Sequence, residues 1–324
     1  MSPTSLHQGA SKGFADAATY DAYRPSYPAA ATQKFLEHLR LADVPHAKIL
    51  DLAAGTGKMT EVLAARHEGF EVVAVEPHEG MRAELEKKGL RGVEVKDGFA
   101  ARLPLGEEWG DGAVVAQAFH WFATTESLKE IHRVLKPTAV LGFIWNIEDY
   151  NKPKHWKAST PWEQSLNELV FTLGGDGQPR FRDFVWKDVF DSQLDANPLR
   201  AVKDVVLEGG RKMPLFSVPV GEEKVPFTVW LTPEAVWNRL RTLSQVAVLE
   251  GARAAAFKAE FDAILGGESV ERNEKGEVAL HGVTYFAWTS RLRKGAENVR
   301  PYGRIEGIIS SALVDLMKDA SRAL

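Results

Sequence analysis

The chain contains no cysteine, which excludes a disulfide framework, a thiolate zinc centre and a cysteine nucleophile together. Its nine histidines include no HxH or HExxH pair, so the spacing of a ready-made metal site is missing and no metal is expected. No window approaches the roughly 20 apolar residues of a membrane span, and the opening MSPTSLHQGASKGF lacks the apolar run of a signal peptide. The expected location is the cytoplasm, with no membrane partner. Excess basic charge is also absent: 40 Lys and Arg stand against 44 Asp and Glu, for a formal net charge of -4. Nothing recommends nucleic acid as a partner. There is no internal repeat, no long low-complexity segment and no signal for oligomeric state.

What the chain does have is length and apolar content. With 324 residues, 44% of them hydrophobic, it can bury a substantial core. From Lys48 to Asn146, short apolar runs alternate with helical patterns. KILDL, EVVAVEP, GVEVKD, DGAVVAQAF and AVLGFIWN read as five strands, separated by KMTEVLAARHEG, HEGMRAELEKKG and TTESLKEIHRVLKP, helices that stop at Gly or Pro. Five strands with crossovers predict a doubly wound parallel sheet. Residues 1–47 read as a short helix, an extended RPSYP link and a longer helix, together a lid. Residues 147–225, with a GGDG turn at Gly174–Gly177, read as an inserted substrate cap. Residues 226–293 supply the strand PFTVWLT, a helix TPEAVWNRLRTLSQVAVL capped by Thr232 with Pro233 first, and a closing strand GVTYFAWTSRL. Residues 294–324 form a tail with an amphipathic helix.

The turn after the first strand, Asp51-Leu-Ala53-Ala-Gly55-Thr56-Gly57, narrows the cofactor. A nicotinamide dinucleotide fingerprint places a third small residue where Thr60 stands, and has no use for Asp51. The phosphate loop GxxxxGK[ST] is absent, which disfavours nucleotide triphosphates. A cofactor without phosphate explains both departures, because no row of amides has to face a pyrophosphate. S-adenosylmethionine is such a cofactor: an ammonium for an acid and carbonyls, a ribose diol, and an adenine needing a polar edge and apolar cover. One acid ends each of the first three strands, Asp51, Glu76 and Asp97, on the edge where doubly wound sheets hold ligands.

YDAYRPSYP, ILDLAAGTGKMT, VVAVEPHEGM, VKDGFAARLPL, AQAFHWF and IHRVLKP follow one another in residues 14–146. In that order they resemble the class I methyltransferases, and within them the type 11 group, which includes trans-aconitate methyltransferase-like and other fungal small-molecule enzymes. The resemblance implies a Rossmann-like seven-stranded sheet, S-adenosylmethionine as cofactor with S-adenosylhomocysteine as product, and in-line methyl transfer to O, N or S of a small molecule. A non-catalytic S-adenosylmethionine-binding protein is the alternative. By position, Gly55, Thr56 and Gly57 let the backbone approach the methionine part, Asp51 orients the turn and Ala53 contributes backbone. Glu76, followed by Pro77, binds the ribose; Met81 lies on the adenine; Asp97 accepts from its amino group; and Gly98 and Phe99 cover the ring. Gln117, Ala118, His120 and Trp121 line the floor below the methyl group. Ala53 and Thr138 stand where the family commonly has Gly.

His120 is the candidate catalytic residue, an imidazole placed to take a proton from an acceptor hydroxyl, amine or thiol. Tyr20, beside the cofactor, and Tyr23 and Arg24, toward the acceptor, form the aromatic and cationic stripe of the lid. Trp145 joins them on the acceptor side. The Trp- and Phe-rich later region, including Trp156, Trp162 and Trp186, suggests an apolar or aromatic acceptor. Arg239 and Arg241 on the late helix read as solvent-facing.

Overall fold

The computed structural model describes residues 17–174, 177, 179–193, 214–268 and 270–293. The chain divides into two units, Met1–Leu292 and Arg293–Leu324. The tail helix expected in the second unit, and Gly175 and Asp176 of the GGDG turn, lie outside the described residues.

The first unit is built on one seven-stranded sheet. Its strands are β1 (Lys48–Leu52), β2 (Glu71–Val75), β3 (Val93–Lys96), β4 (Gly110–Ala116), β5 (Leu135–Glu148), β6 (Gly221–Leu231) and β7 (Val278–Ser290). They lie in the order β3-β2-β1-β4-β5-β7-β6. β1 to β5 pair in parallel, while β7 runs antiparallel to both β5 and β6. The order reverses between β1 and β4, and such a switch point opens a crevice at the carboxyl ends of the strands.

Strand alternation sends side chains to two cores. Leu50, Val73, Val115 and Phe143 pack on one face with Leu128 and Ile131 of α5 (Thr125–Val134). Ile49, Val72, Val114 and Ile144 pack on the other with Phe35 and Leu36 of α2 (Ala29–His38) and Met59 and Leu63 of α3 (Lys58–Ala64). Ahead of α2 stands α1 (Ala17–Tyr23), and α4 (Glu79–Lys87) follows β2. Pro226 sits within β6, which is tolerated because β6 is an edge strand.

The second half departs from its sequence reading in three places. α6 (Pro161–Phe171) was not anticipated, although Thr160 accepts the Glu163 N–H and Pro161 opens the helix, the same signal as at Thr232 and Pro233. The single helix expected after Thr232 is two, α8 (Pro233–Leu240) and α9 (Ser244–Ala247). Between them the Thr242 hydroxyl bonds the Arg239 carbonyl at 2.6 Å, satisfying a helix-end acceptor from the side. β6 starts at Gly221, so the stretch taken as cap yields its last residues to the sheet. That stretch also shares its packing. Phe190 of the short α7 (Asp188–Asp191) and Trp186 join the main core, while α6 packs with α8 and α10 (Gly251–Leu265) around Phe257 and Phe261.

Candidate functional site

A cleft of about 1180 Å³, continuous with solvent, opens at the ends of β1, β2 and β4. Its floor is the turn after β1, where Ala53, Gly55 and Gly57 all hold positive φ, at 56°, 60° and 89°. Gly57 begins α3, and a Cβ there would lie 2.3 Å from Leu85 Cδ1, so packing as well as torsion requires glycine. Ala53 adopts the left-handed conformation without that freedom, at a cost of roughly 1–2 kcal/mol. Gln117, at the end of β4, is likewise left-handed at φ 60°. Two strained non-glycine residues therefore line one cleft.

Glu76 joins two turns. Its Oε2 accepts the Gly55 N–H and its Oε1 the His78 N–H, each at 2.8 Å, and lone pairs remain for a ligand. Burial raises its pKa, with the two amide bonds pulling the other way. Asp51 is wholly buried and does not itself line the cleft. Its Oδ2 accepts from the Thr60 hydroxyl at 2.6 Å, whereas Oδ1 has no hydrogen-bond partner. Burial pushes this carboxyl up to about 7, against the Thr60 bond and with the Glu76 charge adding to the rise. An orphaned carboxylate oxygen behind a glycine turn, a ribose-sized acid beside it and no phosphate cradle fit S-adenosylmethionine.

Thirteen of the expected residues line this cleft: Ala53, Gly55, Thr56, Glu76, Pro77, Met81, Gly98, Phe99, Gln117, Ala118, Trp121, Tyr20 and Arg24. At Gly98 a Cβ would lie 2.8 Å from Pro104 Cδ, which keeps the position small. Asp97 does not join them. Its side chain is 66% exposed and pairs with Arg82 at 3.2 Å; Arg82 in turn donates to the Glu76 carbonyl at 2.8 Å. Asp97 therefore supports the turn through Arg82, at the outer margin of the cleft lined by the adjacent Gly98 and Phe99. Gly57 shapes the turn without lining the cleft.

α1 closes over the floor through Asp21, whose Oδ1 accepts from Thr56 Oγ1 at 2.7 Å and Lys88 Nζ at 2.8 Å. Lys58 Nζ is 3.5 Å away. Burial alone would raise the Asp21 pKa, but these bonds and charges outweigh it and hold the carboxyl below its usual value. Lys58 and His78 line the cleft too, and the sequence reading passed over both.

A second chamber of about 610 Å³, also continuous with solvent, shares Tyr20, Arg24, Gln117 and Trp121 with the cleft. It brings in His120 and Trp145 as expected, together with Asn146, Asn151, Arg180, Arg182 and Gln245, which no spacing signal had marked. Tyr23 is not brought in: it is 36% exposed, with Arg241 5.7 Å from its ring. Of the later aromatics, Trp145 and Phe181 line this chamber, while Trp162 and Trp186 are buried in cores. Arg239, expected in solvent, is only 13% exposed and lies 3.7 Å from Glu148.

His120 is not arranged as a base. Its Nδ1 accepts from the Trp145 indole N–H at 3.4 Å, which puts the proton of the neutral ring on Nε2. Burial, then the Arg180 and Arg24 charges, push its pKa down to about 3. The ring offers a hydrogen-bond donor and a weak proton acceptor.

Residues 50–143 match the family model described as a methyltransferase domain. The chain is 35% identical over 175 residues to an uncharacterized methyltransferase-like protein of Schizosaccharomyces pombe, covering 54% of this chain and 63% of that protein. It is also 35% identical over 160 residues to an uncharacterized methyltransferase of Mycobacterium tuberculosis, covering 49% of this chain and 58% of that one. The matches span less than two thirds of these relatives. Among solved structures, a candidate type II methyltransferase from Anaeromyxobacter dehalogenans shares the fold at 20% identity, with a TM-score of 0.50 over 83% of this chain and 98% of that one.

Proposed function

We propose, from the premise that residues 50–143 are a class I methyltransferase domain of the type 11 group, that the chain transfers the methyl group of S-adenosylmethionine to a small molecule. The observation that carries this reading is the pair of adjoining chambers with a common wall at Tyr20, Arg24, Gln117 and Trp121. One chamber offers Glu76 and small residues suited to the cofactor, and the other adjoins it on the side assigned to the acceptor. When bound, the cofactor supplies an electrophilic methyl group on a sulfonium.

In this reading Glu76 holds the ribose diol, Asp51 braces the glycine turn from behind through Thr60, and Met81 and Phe99 cover the adenine. α1 acts as the lid, latched by Asp21, and keeps water from the shared wall. Residues 48–146 form the cofactor core, while the later segments supply the acceptor side. Catalysis then rests on alignment, which can remove roughly 7–11 kcal/mol of barrier without a base. His120 orients the acceptor by donating from Nε2.

Calorimetric titration with S-adenosylhomocysteine, with NADH as control, tests the cofactor. Labelled-methyl transfer across a panel of small acceptors tests the activity. Micromolar binding and a labelled product support the reading. No binding overturns it, and binding without turnover across the panel favours a binding protein.

A further inference from the structure

Resting on the acceptor role of the second chamber, we infer that Gln117 selects the reacting atom of the acceptor, and that this atom is the nitrogen of an uncharged amine whose N–H donates to Gln117 Oε1. Gln117 directly follows β4 and lines the cofactor cleft and the second chamber alike. Its backbone N–H donates to the Ile144 carbonyl at 2.8 Å, which pins the residue in its left-handed conformation at φ 60°. Its side-chain Nε2 donates to the Asn146 carbonyl at 3.2 Å. Only the NH2 end of an amide can bond a carbonyl, so chemistry tells the two ends of this side chain apart. Asn146 is itself fixed, accepting from Thr284 Oγ1 at 2.7 Å and donating to the Ser26 carbonyl at 3.1 Å. Gln117 Oε1 is left open to the cavity, with no donor to it among the described residues. Backbone strain that holds one amide oxygen at the wall between two chambers is the kind of cost a site sustains.

What that oxygen accepts follows from its lone pairs. They repel a carboxylate or a thiolate brought to the same place. A hydroxyl can donate to it but has to shed its proton to attack, and an amide oxygen takes up no proton at neutral pH. The imidazole of His120, pushed down to about 3 by burial above all, does not take it either. An uncharged amine needs no such step. Its lone pair forms the N–C bond while the C–S bond breaks, and the electron pair of that bond stays on sulfur. The positive charge passes from sulfonium to ammonium, and the proton held at Oε1 leaves to water after transfer. The N–H becomes more positive as the new bond forms, so its bond to Oε1 is stronger in the transition state than in the bound amine.

Aniline, phenol and thiophenol put three reacting atoms on one ring and serve as probes on the full chain, whose second chamber is lined by Trp121, Trp145 and Phe181. With labelled cofactor, methyl is expected on the aniline nitrogen at a rate about tenfold or more above that on phenol or thiophenol. In calorimetry on the chain saturated with S-adenosylhomocysteine, aniline should bind more tightly than N,N-dimethylaniline, which has no N–H, and Gln117→Met should erase that difference. The same variant should lower kcat for aniline about tenfold or more, the scale of a hydrogen bond to a charged group, and shift S-adenosylhomocysteine affinity by less than about threefold, within the scatter of a neutral contact. Gln117→Asn, which keeps an amide and tolerates positive φ, should recover part of kcat. The inference is overturned if phenol or thiophenol is methylated as fast as aniline, if no aniline product forms, if aniline and N,N-dimethylaniline bind the wild type alike, or if Gln117→Met weakens S-adenosylhomocysteine instead of turnover, which would make Gln117 a cofactor contact. Methyl on oxygen or sulfur alone leaves the methyltransferase reading standing. Failure of the wild type to bind S-adenosylhomocysteine overturns that reading, and the acceptor role with it.

Discussion

The two chambers are assembled in different ways. The cleft draws most of its lining from residues 52–59, 76–81, 98–101 and 116–122, the turns that follow four successive strands. The second chamber takes Asn146 and Asn151 from the end of β5 and beyond, Arg180 and Arg182 from the region after α6, and Gln245 from α9. Repeated βα units deliver their turns to one edge by topology, so a residue at a strand end reaches the cleft through local structure alone. Segments without a common repeat meet only through packing. Accordingly Glu76 of the cleft is held by two backbone amides within its own pair of turns, whereas Arg180 and Arg182 of the chamber reach side chains distant in the chain.

The sharpest way to break this contrast is within the cleft. Glu76→Ala should lower affinity for S-adenosylhomocysteine by roughly a hundredfold or more, since it removes a ligand acid and two charge-assisted bonds that hold the turns. Asp97→Ala, outside the cleft, should change it by less than about threefold, consistent with an exposed ion pair. Equal losses in calorimetry would return Asp97 to the site.

The next effect concerns Asp51 and pH. Its folded pKa of about 7 lies well above that of an ordinary aspartate, so the folded state holds the proton more tightly. The stability this lends is complete below the unfolded pKa and is lost as pH rises to about 7. Relative to Asp51→Asn, the wild type should lose a few kcal/mol of unfolding free energy across that window, at about 1.4 kcal/mol per pKa unit. Denaturant midpoints of both proteins at several pH values measure it, and a constant difference would show Asp51 to be ionised throughout.

Smaller effects follow at the boundary between the chambers. Asp21→Asn should speed release of S-adenosylhomocysteine several-fold in stopped-flow displacement, by loosening α1 from Thr56 and Lys88, with little change in thermal stability. His120→Gln should reduce turnover by less than the roughly hundredfold that loss of a general base brings. It should also leave the pH–rate profile between pH 5 and 8 unchanged, whereas loss of a pH-dependent limb would restore the base. The smallest change is Ala53→Gly, which should raise stability to thermal unfolding by about 1 kcal/mol through relief of left-handed strain, set against the chain entropy that glycine adds.

Legibility in the sequence follows the same divide. The five parallel strands, the two late strands, the turn at Asp51–Gly57 and the acid at Glu76 were all readable, because alternation, glycine and strand-end position are local signals. Helix α6 was readable too, through Thr160, Pro161 and Glu163, and was passed over beside the aromatic content around it. For Asp97 the sequence position gives the right edge without saying what its side chain meets; Arg82, from the neighbouring helix, supplies that partner. Arg239 misled because a charged residue on an amphipathic helix is ordinarily in water, while here Glu148 waits 3.7 Å away.

By itself, then, the sequence determined the order of the βα units and the chemistry of the cleft they share, since each element carries its own periodicity and each turn its own small residues and acid. Only the tertiary structure decided the proton state of His120, the burial that lifts Asp51 and the set of residues that meet in the second chamber. Desolvation and Coulomb fields sum over every neighbour in space, and those neighbours come from segments that no pattern along the chain connects.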